Sequence, residues 1–125
     1  MTIDSLHRQL CHTLLDALER DDVSGVDACY APDMTIWANF TNQESSREEN
    51  LAAIAAGKDM LRRRTYDDRV VNTFEDGFMA QYSCTVVAHD GTKVALSACL
   101  VAEVHDGKIV KLFDFLDSGK FGRRR

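Results

Sequence analysis

The chain has 125 residues, enough for one domain with a useful core but too few for two. Its 45% hydrophobic and 28% charged residues give it the composition of a folded globular protein, which excludes a disordered chain. The formal net charge of −5 argues against nucleic acid as a partner, because nucleic acids attract basic surfaces.

The first half of the sequence predicts three helices and one strand. The apolar stripe of the first helix consists of Ile3, Leu6, Leu10, Leu14 and Ala17. Ser24 is the expected cap of a short second helix that runs to Tyr30. Residues 34–40 are rich in β-branched and aromatic side chains and predict a strand, and 41–45 read as a polar connection. Ser46 and Glu49 form a capping box for the third helix, which we expect to end in the arginine run at 62–64.

From Thr65 onward the apolar period changes to two, which is typical of strands. Strands are expected at 69–74, 78–89, 94–105 and 109–116, joined by three turns that each contain Asp-Gly. Strands of this length must twist and curl, so the helices can cover only the concave face. The sequence therefore predicts an α+β domain over residues 1–125. Three N-terminal helices would pack on a strongly curved mixed or antiparallel sheet, a cone-shaped barrel with an internal pocket, and 118–125 would form a mobile basic tail.

The remaining residue types give no sign of a metal or a cofactor. The four cysteines lack the close spacing of zinc sites or redox dithiols, and we expect them to be buried free thiols. The four histidines form no metal-like cluster, so no metal and no cofactor are expected. Residues 1–10 lack the apolar core of a signal peptide, and no stretch approaches the ~20 apolar residues that span a bilayer. We therefore expect a cytoplasmic protein without a membrane partner.

Five short segments, in this order and spacing, carry a resemblance to a known family. They are Tyr30-Ala31-Pro32-Asp33, Ile36-Trp37-Ala38-Asn39-Phe40, Ser97-Ala98-Cys99-Leu100, Asp106-Gly107-Lys108-Ile109 and Asp114-Phe115-Leu116-Asp117-Ser118. With the order of helices and strands, they resemble the nuclear-transport-factor-2-like superfamily, and within it the SnoaL-like bacterial proteins. Its members include ketosteroid isomerases, limonene epoxide hydrolases and SnoaL-type polyketide cyclases. The resemblance covers essentially the whole chain and implies the fold, but one fold hosts many activities.

The residues at the matching positions argue against two of these activities. The isomerases use a tyrosine, a carboxylate base and a protonated carboxylic acid. The matching positions hold Leu14, Ala38 and, in a less certain register, Leu100. The epoxide hydrolases use an arginine and an aspartate on the long middle strand and a second aspartate on the last strand. The matching positions hold Ser83, Thr85 and Asp114, so one group of three is present.

Asp114 is the candidate catalytic residue. On a strand it shares a face with Leu112 and Leu116, and a carboxyl among apolar neighbours should have a raised pKa. A raised pKa suits a general acid or base near neutral pH. The alternative is a carboxylate at the mouth of the pocket, or one paired with a basic residue of a neighbouring strand.

Trp37, Asn39 and Ser83 are the expected ligand-binding residues. Trp37 and Asn39 alternate on one face of the first strand and offer an apolar wall with one directional amide. Alternatively, Trp37 belongs to the core and Asn39 begins a turn. The alignment with the hydrolases turns the face of Ser83 into the pocket. We therefore expect these three side chains to line one pocket together with Asp114.

The opposite face of the same long strand is apolar. Its row consists of Phe78, Ala80, Tyr82, Cys84 and Val86, and the next strand continues it with Val94, Leu96, Ala98, Leu100 and Ala102. If Ser83 faces the pocket, this row is convex, and an exposed apolar sheet must be covered. Relatives often dimerise in this way, so a homodimer through the sheet face is expected.

Three functions remain open. The first is a small cofactor-free enzyme of isomerase, lyase or cyclase type, which transfers protons on an apolar, aromatic or polyketide-like molecule with Asp114 as acid or base. The second is a module that binds such a molecule without catalysis, and the third is a structural dimer of the same fold. An open pocket in which Asp114 has a hydrogen-bond partner favours the enzyme. An open pocket with no titratable pair favours binding, and a sealed apolar cavity favours the structural function.

Overall fold

A computed structural model describes residues 2–117, and the basic tail predicted at 118–125 lies outside the described residues. The helices are α1 (Ile3–Glu19), α2 (Val23–Cys29) and α3 (Arg47–Gly57). The strands are β1 (Tyr30–Ala38), β2 (Gln43–Ser46), β3 (Arg63–Phe74), β4 (Gly77–Val87), β5 (Lys93–His105) and β6 (Lys108–Leu116). Together the strands form one sheet in the order β2-β1-β6-β5-β4-β3.

The sheet is mixed, because β1 runs parallel to β6 while the other neighbouring strands are antiparallel. Strands β3 to β6 form the predicted meander. At the turn between β5 and β6, Asp106 and Gly107 both have positive φ, at 50° and 75°, as a tight two-residue hairpin requires. The sheet is curled but not closed, with β2 and β3 at its edges. The predicted α+β fold is therefore confirmed, with an open curled sheet in place of a barrel.

The buried stripe of α1 differs from the predicted one. Ile3 and Leu6 are 56% and 48% exposed, and the residues turned to the sheet begin with His7 and Cys11. His7 tolerates burial because its Nδ1 lies 3.1 Å from the carbonyl oxygen of Phe74. The face of α1 that packs on the sheet is therefore rotated from the predicted one at the start of the helix. There His7 and Cys11 are buried, where hydrophobicity alone predicts burial of Ile3 and Leu6.

The sequence predicted that the third helix ends in the arginine run at 62–64, and this prediction is wrong. Helix α3 ends at Gly57, and Arg63 and Arg64 belong to β3, where they pair with Val87 and Val86. The backbone of the run is therefore satisfied by the sheet. The polar connection predicted after the first strand is also wrong in part, because 43–46 form β2, which pairs with the end of β1.

The apolar row of β4 faces inward, so the prediction that this row forms the convex dimer surface is wrong. All five of its side chains are buried, and Leu96, Leu100 and Ala102 of β5 are buried beside them. These side chains pack with those of α1 and α2 into the core. Burial of apolar area is favourable by about 25 cal/mol per Å². The polar side chains of Gln81, Ser83 and Thr85 gain no such free energy from burial, so their face is the one left toward water. Within the described part of the chain, no helix has both the length and the hydropathy to cross a membrane.

Gly77 is required by a close approach between β4 and β5. A Cβ atom at this position would lie far closer to the carbonyl oxygen of Ala102 than van der Waals contact allows. Because that oxygen is backbone, it cannot swing away. We expect Gly77→Ala to lower the free energy of unfolding by about 2–3 kcal/mol in urea titrations. Gly57→Ala is the matched control, because its Cβ meets nothing within 4 Å and it should stabilise the end of α3 by up to about 1 kcal/mol. Equal stabilities of the two variants would contradict the close approach.

Candidate functional site

A cavity of about 320 Å³ lies between the concave face of the sheet and α3. Apolar side chains make up most of its sheet wall, among them Ile36, Cys84, Leu96, Leu100 and Leu112. Asn50, Ala53 and Ile54 of α3 form the opposite wall. The cavity reaches the surface, since its lining includes the exposed residues Phe40 and Ala53. Its volume lies at the lower end of the range for small-molecule sites, about 300–1,000 Å³.

Asp114 lines this cavity from β6. It pairs with Ala38 of β1 on one side and with Leu100 of β5 on the other, and Leu112 and Leu116 flank it on the same face. Within residues 2–117 its carboxyl makes no hydrogen bond and no ion pair. Burial raises the pKa of Asp114 to about 6. The carboxyl thus has the inward orientation and the raised pKa that its apolar flanks predict, and the salt-bridged alternative is not what the structure shows.

Three tyrosines stand around the carboxyl, and the sequence analysis did not assign them to the site. Burial raises the pKa of Tyr30, Tyr66 and Tyr82, and the negative charge of Asp114 raises each further. The hydroxyl of Tyr30 donates to Asn50 Oδ1 at 2.7 Å, and the rings of Tyr66 and Tyr82 meet edge to face at 5.2 Å. The hydroxyls of Tyr66 and Tyr82 make no hydrogen bond within the described residues. Neutral phenols are hydrogen-bond donors, so two of them are available to a bound molecule.

Cys84 also lines the cavity, but its thiol is poorly suited to nucleophilic chemistry. Burial raises the pKa of Cys84 to about 11, so the thiolate is scarce at neutral pH. Within residues 2–117 no three His, Cys, Asp or Glu side chains lie close enough together to hold a metal ion. The titratable groups that face the cavity are therefore a carboxyl, phenols, one thiol and the guanidinium of Arg64.

Trp37, Asn39 and Ser83 do not line this cavity, so the prediction that they share it with Asp114 is wrong. The inward residues of β1 are Ile36 and Ala38, since Ala38 pairs directly with Asp114. On β4 the inward residues belong to the apolar row. The face assignments were therefore off by one residue on both strands. Ser83 was turned inward by the alignment with the hydrolases, and Trp37 and Asn39 by strand alternation and the resemblance. A shift of one residue turns every side chain to the other face. Whether these three residues bind a ligand stays a prediction that the structure does not test.

The outer face of the sheet gives each of these residues a different environment. Trp37 contacts Phe115, with ring centroids 5.5 Å apart. Asn39 pairs with the backbone of Leu116, from which its Oδ1 accepts at 2.8 Å and to which its Nδ2 donates at 3.1 Å. Its side chain thus continues the ladder between β1 and β6. Ser83 and Asn39 border an open groove of about 500 Å³ on this face, together with Gln81 and Phe115.

The chain belongs to the SnoaL-like family, because the family model for the SnoaL-like domain matches residues 12–112. This confirms the resemblance drawn from the sequence segments. No curated protein matches the chain in sequence.

Solved structures of the same fold come from several bacteria. A protein from Xanthomonas campestris, proposed to be a polyketide cyclase, has a TM-score of 0.82 at 20% identity over 91% of this chain and 92% of its own. AclR from Streptomyces galilaeus, proposed to be a hydroxylase, gives 0.81 at 18% identity over 97% and 85%. A Catenulispora acidiphila protein with a ketosteroid-isomerase-like fold, solved with trimethylamine, gives 0.75 at 12% identity over 85% and 83%. At these identities the likeness shows the fold alone.

The raised pKa of Asp114 makes the stability of the protein depend on pH. The folded state keeps a proton up to about pH 6, while the unfolded chain releases it near pH 3.8. Wild type should therefore lose stability relative to Asp114→Asn as the pH rises from about 4 to 7, by roughly 2 kcal/mol, since one pKa unit is about 1.4 kcal/mol. Above that range the difference should be constant. Thermal melts across this pH series measure it, with Asp33→Asn as the control for loss of one exposed carboxylate. Parallel curves for wild type and Asp114→Asn would contradict the raised pKa.

Proposed function

We propose that the protein is a small cofactor-free enzyme that transfers protons on an apolar, aromatic or polyketide-like molecule bound in the cavity. The observation that carries this proposal is the unpaired carboxyl of Asp114, whose pKa of about 6 leaves it largely ionised near neutral pH. A base with a pKa close to the working pH combines the right protonation state with a useful proton affinity. The membership in the SnoaL-like family and the likeness to proteins proposed to be polyketide cyclases support the same class of substrate.

The chemistry follows from the groups that face the cavity. The Asp114 carboxylate takes a proton from a carbon next to a substrate carbonyl, and the electron pair of the broken C–H bond moves onto the carbonyl oxygen. Tyr66 and Tyr82 are the donors available to that developing charge, because their hydroxyls are uncommitted within residues 2–117. The apolar walls exclude water, which strengthens these interactions. Asp114 then returns the proton to the same molecule at another atom in an isomerase, or to the oxygen formed by ring closure in a cyclase.

A binding module is the second candidate function. The carboxyl of Asp114 has no direct hydrogen-bond partner within the described residues, and an enzyme often orients its base with one. In that case the same cavity would hold the molecule and Asp114 would set only its affinity. The structural function has less support, because the cavity is open to the surface and contains titratable groups.

Hydrogen–deuterium exchange tests proton transfer without knowledge of the natural substrate. We expect the protein to accelerate exchange of the α-protons of 2-tetralone in D2O, followed by proton NMR, because this aromatic ketone is apolar, small and enolisable. The rate constant should rise with pH through about 6, the pKa of Asp114, and level off above it. Asp114→Asn should lower the rate at least about 100-fold, while Asp33→Asn should keep it. Binding of 2-tetralone without accelerated exchange would instead support the binding module.

We also propose the predicted homodimer through the outer, convex face of the sheet, but with residues other than the apolar row of β4. This face carries Trp37, Phe113 and Phe115, and Phe115 is 38% exposed. Around them lie mostly uncharged side chains of β4 and β5, including Gln81, Ser83, Ser97 and Cys99. A sheet face with a partly exposed aromatic cluster and few charges, Lys111 over Phe113 and Asp68 among them, suits a self-complementary contact about a two-fold axis.

Light scattering at micromolar concentration tests the dimer. The expected mass is twice the 14.0 kDa of one chain. Phe115→Glu should shift the protein toward monomer, because it places a charge in the centre of the contact. Met60→Glu is the control, since Met60 is 72% exposed and lies between α3 and β3, outside the patch around Phe115. A monomeric wild-type protein, or equal effects of the two substitutions, would contradict the proposal.

A further inference from the structure

The carboxyl of Asp114 is the one acidic group among the described residues that line the cavity, and no group of those residues pairs with it. Its oxygens remain accessible, because Arg64 Nε is the one buried side-chain N or O atom without a hydrogen bond in residues 2–117. Burial disfavours the charged form of Asp114, and no cation of the described chain offsets that effect. A cation supplied by a bound molecule would therefore meet an uncompensated negative charge in an apolar medium, where ion pairing is stronger than in water.

The neutral groups that face Asp114 across the cavity cannot supply the missing positive charge. Strands β1, β3 and β4 contribute the phenols of Tyr30, Tyr66 and Tyr82, and β4 also contributes the thiol of Cys84. The pKa of each is raised by burial, so all four are uncharged at neutral pH. Helix α3 contributes the amide of Asn50, and the residues that β5 contributes to the lining are leucines.

Arg64 is the one cation among the described lining residues, and it is already paired at a distance from Asp114. Its Nη2 donates to Asp21 Oδ1 at 2.8 Å. Arg64 pairs with Val86 of β4, whereas the residue of β4 in line with Asp114 is Ala80. These two positions of β4 are six residues apart, about 20 Å of extended strand. The negative charge of Asp114 therefore remains available to a ligand.

The walls around the carboxyl select the kind of cation. Most of the sheet wall is hydrocarbon, including Ile36, Leu96, Leu100 and Leu112. A primary ammonium carries three N–H donors, which need more acceptors than one carboxyl provides. An alkylated ammonium has few or no N–H groups and presents methyl groups to such walls. Four lining residues are aromatic, three tyrosines and Phe40, and aromatic rings attract cations that lie over their faces.

We propose that the cavity binds an alkylated ammonium ion, with its charged nitrogen beside the carboxylate of Asp114 and its methyl groups against the apolar and aromatic walls. The volume of about 320 Å³ is sufficient for a small ion of this class. The formal net charge of −5 attracts cations to the protein as a whole. This ligand class differs from the neutral substrate proposed above, and its binding does not rest on proton transfer.

A matched pair of probes of equal shape tests the ion pair. Choline carries a trimethylammonium group, and 3,3-dimethylbutan-1-ol has the same shape and hydroxyl with a carbon in place of the nitrogen. In titrations followed by NMR at pH 7.5 and constant ionic strength, wild type should bind choline at least about tenfold more tightly than the alcohol. Asp114→Asn should lose this preference while binding the alcohol as before. Asp33→Asn, which removes an exposed carboxylate, should keep the preference.

The pH dependence gives a second readout that needs no variant, so the proposal remains testable if Asp114→Asn does not fold. Choline does not titrate in this range, and its affinity should rise from about pH 5 to 7 and level off above, because the pKa of Asp114 is about 6. In carbon-13 NMR of the wild-type carboxyl, choline should lower that pKa, whereas the alcohol should not.

Three results would overturn the proposal: equal affinities for the two probes, a choline affinity that does not change with pH, or no binding of choline. The outcome is separate from that of the proposed enzyme function. If 2-tetralone exchange fails but the preference for choline depends on Asp114, the enzyme function falls and this inference stands. Accelerated exchange without that preference gives the reverse result.

Discussion

The register between three neighbouring strands decides what faces the cavity. Asp114 lies opposite Leu100, and Leu100 lies opposite Ala80, so the three residues share one face of the sheet. That face must be the concave one, because the apolar rows of β4 and β5 have to be buried against the helices. The carboxyl of Asp114 is thereby carried inward with the core. Its position is a consequence of apolar burial on other strands rather than of any contact that it makes itself.

This origin explains the electrostatics of the site. Because the burial of its neighbours places the carboxyl inside, no cation is positioned to pair with it within residues 2–117. The apolar walls disfavour its charged form. The ion pairs of the domain, such as those of Arg69 with Asp16 and of Arg47 with Asp27, lie elsewhere. The molecule therefore keeps one destabilising group in its cavity. Proteins commonly tolerate such groups where function uses them, and this is the physical reason for placing the chemistry here.

The sequence was sufficient for features that depend on local pattern. The meander follows from period-two alternation and the Asp-Gly turns, and the start of α3 follows from Ser46 and Glu49, which form the expected capping box. The orientation of Asp114 follows from its flanks. Features that depend on pairing between distant segments were not accessible. The inward face of β4 was assigned through an alignment and came out reversed, because a shift of one residue leaves the pattern of the strand unchanged.

The tyrosines and Arg64 were missed for the same reason. Tyr30, Tyr66 and Tyr82 lie on three different strands, and no spacing along the chain connects them. Arg64 stands in a run of arginines that resembles the charged end of a helix. Only the pairing of β3 with β4 shows that it begins a strand at the wall of the cavity. A site assembled from the ends of several strands has no signature in any single segment.

Asn39 has a consequence for how firmly the carboxyl is held. Its backbone N–H donates to the carbonyl oxygen of Asp114 at 3.0 Å, and its side-chain amide forms both bonds with the backbone of Leu116. Asn39 follows the last residue of β1, and it is hydrogen-bonded to the backbone of both cavity-facing residues at this end of β6, Asp114 and Leu116. A carboxylate in its place could accept but not donate, and a hydrophobic residue could do neither. The backbone beneath Asp114 is thus fixed before any molecule arrives, so little conformational entropy remains to be lost there when the cavity fills.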